Sequence, residues 1–238
     1  MPTLHVLLRK EDIDPARLHD KVVVVIDVLV ATSTIVHAFT LGVVSVWPAL
    51  DQSDALRIAE GLDGSLLAGE HLLETLPGFA PASPNLLAAQ GLLGRHLVYC
   101  TTNGTRALSF ASGAAHVYAG ALLNGAALAT HIVKNHPGMS VLIVCSGSVG
   151  HFNLEDFHGA GHLVAHLVEL SQYDASDTAL AALYAYEGAD TRAVLCASRV
   201  GKIMLSRALG AEVDRAALRD TTDVIPMLYQ GRLVRFAA

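Results

Sequence analysis

Carboxylates, hydroxyls and an arginine collect in four short blocks, each placed directly after an apolar run. Asp27 ends Val22 to Ile26, and Gly69-Glu70 follows Leu66-Leu67-Ala68. Thr101-Thr102-Asn103-Gly104-Thr105-Arg106 follows Val98-Tyr99-Cys100, and Ser146-Gly147-Ser148 follows Leu142 to Cys145. A strand-to-helix turn rich in Thr and Asn exposes backbone amides to an anion, with the helix dipole behind them. Thr101 to Arg106 is such a turn, and Thr32-Ser33-Thr34 after Asp27 is a second. The same residue types also serve as plain helix caps. Glu155-Asp156 opens a later helix and could simply complement its dipole. Taken with Asp27 and Glu70, the pair instead completes a hard oxygen set of the kind Mg²⁺ accepts together with water and phosphate. Anion-binding turns beside a divalent ion point to phosphate-ester chemistry.

Other chemistries compete for the same chain. His158, His162 and His166 repeat at i, i+4, i+8, and an H-x-x-x-H pair is a transition-metal geometry, so a histidine-based zinc hydrolase is one reading. The adjoining glutamate of H-E-x-x-H is missing. Cys145 suggests a thiolate phosphatase, but the position where that loop wants arginine is His151, and a cysteine ending an apolar strand reads as inert core. Neither G-x-x-x-x-G-K-[ST] nor G-x-G-x-x-G occurs, which argues against nucleoside triphosphates and dinucleotides.

These blocks need a scaffold that brings them to one edge. β-branched runs recur at Val22 to Val28, Val43 to Trp47, Ser65 to Ala68, His96 to Cys100, His116 to Tyr118 and Ser140 to Cys145. Helical patterns lie between or after them, at Thr32 to Leu41, Ser53 to Leu62, Asn103 to Ala111, Asn124 to Asn135, Asn153 to Leu170 and Ala175 to Tyr186. Continuous apolar strands alternating with helices predict an α/β fold with a sheet buried on both faces. In such sheets ligands bind at the C-terminal strand ends, where all four polar blocks fall. Gly69 to Pro84 reads as one long irregular connection, of the kind that often forms a lid. Beyond Gly188, Ser198 to Leu209 reads as a helix, with Asp223 to Leu228 and Arg232 to Phe236 as a closing hairpin.

The 238 residues are expected to form a single domain, 52% hydrophobic and 16% charged, which excludes a disordered chain. A net charge of −6 without a basic run argues against nucleic acid. The charge-poor stretches Val28 to Leu50 and Ala107 to Val133 are broken by polar and turn residues, so no membrane span is expected. Three scattered cysteines and no secretory pattern suggest the cytoplasm, and the high apolar content is compatible with a homo-oligomer.

At these residues the chain resembles the 2-phosphosulfolactate phosphatase family. The similar pieces are Val25-Ile26-Asp27-Val28-Leu29 with Ala31-Thr32-Ser33-Thr34, Gly69-Glu70, Thr101 to Leu108, and Cys145-Ser146-Gly147 through Leu154-Glu155-Asp156. The resemblance implies layered helices around a mixed, mostly parallel sheet, and Mg²⁺-dependent hydrolysis of 2-phosphosulfolactate or a related small anionic phosphate ester. On that basis the expected metal ligands are Asp27, Glu70, Glu155 and Asp156, and the catalytic groups Asp27, Asn103 and Arg106. Thr32, Ser33, Thr34, Thr101, Thr102, Gly104, Thr105, Ser146 and Gly147 are expected to bind substrate. The family's D-V-L-R-A-T-S-T has Val30 here in place of arginine, its G-E-R has His71, and its G-N-S-P loop is Pro81-Ala82-Ser83-Pro84. Neither Val nor His replaces a guanidinium fork, so a substrate with three anionic groups should bind less well. The alternative is a diverged, non-catalytic relative that binds a small anion or assembles with a partner.

Overall fold

In the computed structural model, which describes residues 1–236, the described residues form one 11-stranded mixed sheet. The strands are β1 (Thr3–Leu7), β2 (Val22–Ile26), β3 (Ser45–Ala49), β4 (Leu66–His71), β5 (Glu74–Thr75), β6 (His96–Cys100), β7 (His116–Gly120), β8 (Val141–Cys145), β9 (Asp174–Ala175), β10 (Pro226–Tyr229) and β11 (Arg232–Arg235). The helices are α1 (Ala31–Thr40), α2 (Gln52–Glu60), α3 (Pro84–Ala88), α4 (Gly104–Phe110), α5 (Gly125–Asn135), α6 (Leu154–Leu170), α7 (Asp177–Tyr186), α8 (Thr191–Ala197), α9 (Arg199–Ser206) and α10 (Gly210–Ala216). No helix among the described residues is long and apolar enough to cross a membrane.

The sheet order is β5-β4-β6-β3-β11-β10-β7-β2-β8-β1-β9. Most neighbours are parallel, and the antiparallel pairs are β5 with β4 and those made by the β10–β11 hairpin. The hairpin expected from the sequence forms, and it does not lie at an edge. It fills the middle of the sheet, joining the parallel group of β3, β4 and β6 to the group of β7, β2, β8 and β1. Its place depends on pairing partners far away in the chain, which no local signal encodes.

Alternation along the strands builds a core on each side. Val22, Val24 and Ile26 face a cluster with Leu128, Leu163 and Leu167, whereas Val23 and Val25 face one with Ile35, Leu108 and Tyr99. β2 and β6 are separated by four strands in the sheet order, yet Val25 and Tyr99 share that second core with α1 and α4. The sheet therefore wraps around α1 and α4 and brings distant strand ends together.

Three other expectations shift. β1 was not expected, because only alternate residues in Thr3–Leu7 are buried and a histidine interrupts the apolar signal. The segment Gly69 to Pro84 is not wholly irregular: β4 runs on to His71 and turns back into β5. The stretch after Gly188 forms three short helices, with Ser198 ending one and accepting the Gly201 amide to cap the next.

Candidate active site

A cavity of about 110 Å³ opens at the C-terminal ends of β2, β4, β6 and β8. The cavity is open to solvent on one side, so a bound ligand need place only part of itself inside it. Asp27, Glu70, Thr102, Asn103, Gly147 and Arg199 supply polar lining, and Val30 an apolar wall.

Asp27 follows β2 directly, where the chain turns into α1. Its Oδ1 accepts the Ala31 amide, and its Oδ2 lies beside Gly104. Thr32 locks the turn, its hydroxyl accepting the Asp27 amide and donating to the Asp27 carbonyl. Ser33 donates to the Val28 carbonyl, and Thr34 to those of Val30 and Ala82. These three hydroxyls are buried and spent on the backbone, so they position Asp27 rather than meet an anion. Thr101 and Thr105 are likewise reciprocal partners, each hydroxyl accepting the other's amide. Gly104 lets α4 approach closely: a Cβ there would lie 2.6 Å from Asp27 Oδ2.

Glu70 lines the cavity, but its oxygens are committed. Oε1 accepts the Thr102 amide, while Oε2 accepts the Leu73 amide and the Thr102 hydroxyl. It thereby holds Leu73, while the Thr102 hydroxyl accepts the Leu72 amide; both leucines are in the left-handed region with φ of 53° and 65°, a conformation that costs energy outside glycine. Asn103 accepts Lys10 Nζ (3.0 Å) and the Val149 amide (3.3 Å) on its Oδ1. Arg106, in contrast, is exposed and donates to the Leu50 carbonyl, away from the cavity. Two residues past Gly104, about 200° around the helix, its side chain turns outward.

Glu155 and Asp156 are buried behind the cavity wall in the first turn of α6. Asp156 accepts the Val28 amide on Oδ1 and the Gly147 amide on Oδ2, tying the ends of β2 and β8 together. Among the described residues, both Glu155 oxygens are buried without a hydrogen-bond partner, as is the Ser146 hydroxyl. Burial raises the Asp27 pKa to about 6, with the Glu70 charge adding to the shift. Burial raises Glu155 to about 7, again with help from Asp27, and pushes Asp156 well above the ordinary range alongside both neighbours. Burial first, and the neighbouring carboxylates second, disfavour the charged forms of these three groups.

Two cations had escaped notice. Arg199, at the start of α9, reaches the cavity and donates to Asn153 Oδ1, whose amide in turn contacts Asp156. Buried Lys10 donates to Asn103 Oδ1 and the Ser146 carbonyl. In the sequence Lys10 sits within Arg9-Lys10-Glu11-Asp12 and resembles a solvated charge run; for Arg199 the Ser198 cap was the available signal. Cys145 is fully buried and its thiol pushed well up by burial, so it is core and not a nucleophile. His158 meets Thr191 through Nε2 and does not join His162 in a shared site.

The family described as 2-phosphosulpholactate phosphatase matches residues 7–231. A "Probable 2-phosphosulfolactate phosphatase" of Carboxydothermus hydrogenoformans is 33% identical over 90% of this chain and 90% of its own. One of Deinococcus radiodurans is 34% identical over 92% of both chains, and one of Clostridium novyi 28% identical over 98% and 99%. The chain belongs to the 2-phosphosulfolactate phosphatase family.

Proposed function

We propose that this member of the family is a Mg²⁺-dependent phosphatase that hydrolyses a small phosphate monoester of an organic acid, 2-phosphosulfolactate or a close relative. The observation that carries the reading is the trio Asp27, Glu155 and Asp156, buried beside a small cavity, each with its pKa raised by burial first and by a neighbouring carboxylate second. Among the described residues Glu155 has two buried oxygens without donors, and Asp27 lines the cavity. Hard carboxylate oxygens of this kind suit Mg²⁺, and Asp27 and Glu155 would hold it. Glu70 and Asp156 are already occupied by backbone amides and serve as scaffold.

Mg²⁺ bound there would offset the negative charge of the phosphoryl group and lower the pKa of a bound water. The chain's own residues bind and orient. Arg199 offers charged donors to phosphoryl oxygens, and Asn103, its carbonyl taken by Lys10 and Val149, turns its amide hydrogens to the ligand. Val30 stands where the family has an arginine, while His71 is exposed and outside the cavity lining. Arg199 is thus the guanidinium left for an anionic substrate, which favours an ester with fewer anionic groups than 2-phosphosulfolactate. The three free cysteines suit a reducing, cytoplasmic setting.

Phosphate release from metal-stripped protein, with and without Mg²⁺, tests this across small phosphate monoesters that include 2-phosphosulfolactate. Mg²⁺-dependent turnover, abolished in Asp27→Asn, is expected. Folded protein without turnover on any of these esters would overturn it.

A further inference from the structure

The histidine stripe of α6 meets an unexpected partner. His162 Nε2 lies 3.2 Å from Asp220 Oδ1, and His166 Nε2 lies 3.1 Å from Asp220 Oδ2. Both rings turn the same nitrogen to one carboxylate, 54 residues beyond His166 in the chain. We propose that His162, His166 and Asp220 form a second metal site, selective for a transition metal ion such as Zn²⁺ and separate from the phosphatase cavity.

Four observations carry it. First, the three ligand atoms lie within 4.8 Å of one another, the one such His, Cys, Asp and Glu group among the described residues. Zn–N bonds of about 2.0–2.1 Å in a tetrahedron set ligand atoms about 3.3 Å apart, close to the 3.2 Å from His162 Nε2 to Asp220 Oδ1, with His166 Nε2 3.1 Å from Oδ2 of the same carboxylate. Second, His162 Nδ1 is 3.0 Å from the Tyr186 hydroxyl. A metal-bound histidine commonly donates its other ring N–H to such a group, which fixes the ring.

Third, Gly125 makes room for that ring: a Cβ there would lie 2.6 Å from His162 Nε2, although the backbone is ordinary helix. Fourth, Asp220 is held ready. It sits in the left-handed region at φ 52°, its amide donates to the Leu122 carbonyl, and its Oδ1 accepts the Ala126 amide. Imidazole nitrogens select transition metals over Mg²⁺. His166 and Asp220 keep 26% and 31% side-chain exposure, which admits the ion and a water as fourth ligand. None of the three residues lines the phosphatase cavity.

Metal-stripped protein is titrated with Co²⁺ in excess Mg²⁺, reading visible absorption, and Zn²⁺ is then added as competitor. One equivalent of tetrahedral Co²⁺ displaced by Zn²⁺ is expected, with Zn²⁺ raising the melting temperature. His166→Ala and Asp220→Asn, both at partly exposed positions, should weaken binding at least 100-fold; Asn keeps an oxygen for the Ala126 amide, so the fold survives. His158→Ala should bind as wild type. Folded wild type that binds no Co²⁺, or unchanged affinity and spectrum in both ligand variants, would overturn the site. No arm reads phosphate release, so the result stands apart from that of the proposed activity.

Discussion

Arg199 and Arg106 separate what a residue type promises from what its position allows. Arg106 belongs to the block that looked most like an anion clamp, yet it extends to Leu50 outside the cavity, whereas Arg199 lines it. A hydrogen bond to a charged group contributes about 1.5–3 kcal/mol. Arg199→Ala should therefore lower kcat/KM for the best phosphate ester roughly 10–100-fold, chiefly through KM, while Arg106→Ala should stay within about twofold. Steady-state kinetics on the two variants would decide, and equal losses would return Arg106 to the clamp. The hydroxyls carry the same lesson. Ser and Thr in a first turn can face a ligand or bond their own backbone, and Thr32, Ser33 and Thr34 do the latter. Asp27, Asn103, Thr102 and Gly147 were legible because they follow buried strands at the expected rim; Arg199 was not, since nothing near position 199 shows which strand ends lie opposite.

At the scale of elements, the site depends on how closely α1 and α4 meet. Gly104 allows it, since a Cβ there would strike the Ala31 methyl and Asp27 Oδ2. Gly104→Ala overpacks a buried contact at a cost of about 1–3 kcal/mol, which for this size of chain lowers the melting temperature by roughly 2–12 °C. Displacing Asp27 by about 1 Å should also cut kcat about 100-fold. Calorimetry with a phosphate-release assay would reveal both effects, and a variant with wild-type values in each would show that the helices part without consequence. Parallel strands such as β2, β6 and β8 could be read from sequence because burial on both faces leaves unbroken apolar runs. The central position of the β10–β11 hairpin could not, because Met227 pairs with Tyr118 and Leu233 with Val46, contacts set by packing across most of the chain. The histidine stripe was legible as a stripe, but its carboxylate partner lies in the loop between α10 and β10.

For the whole molecule, buried charge makes stability depend on pH. Asp27, Glu155 and Asp156 have raised pKa values when folded, so the folded chain binds protons that the unfolded chain has released. Stability then falls as pH rises from the unfolded carboxylate values, about 4, through about 6 for Asp27, about 7 for Glu155 and higher for Asp156. Several histidines pull the other way. His136 and His158 are lowered to about 4 by burial, so they add stability as pH rises toward about 6.5 and nothing more beyond it. Above about pH 8.5 the unfolded cysteines begin to ionise while burial keeps Cys100 and Cys145 protonated. The carboxylates therefore dominate between about pH 6.5 and 8. One proton difference across that window amounts to about 2 kcal/mol, or roughly 4–8 °C in the melting temperature of metal-free protein. Mg²⁺ held by Asp27 and Glu155 would take the place of those protons, so saturating Mg²⁺ should flatten the fall, and Glu155→Gln should flatten it without metal. A metal-free melting temperature that is constant or rising across this window, in protein that unfolds reversibly, would mean that the three carboxyls do not share buried protons and that excess charge is not what prepares the site for a cation.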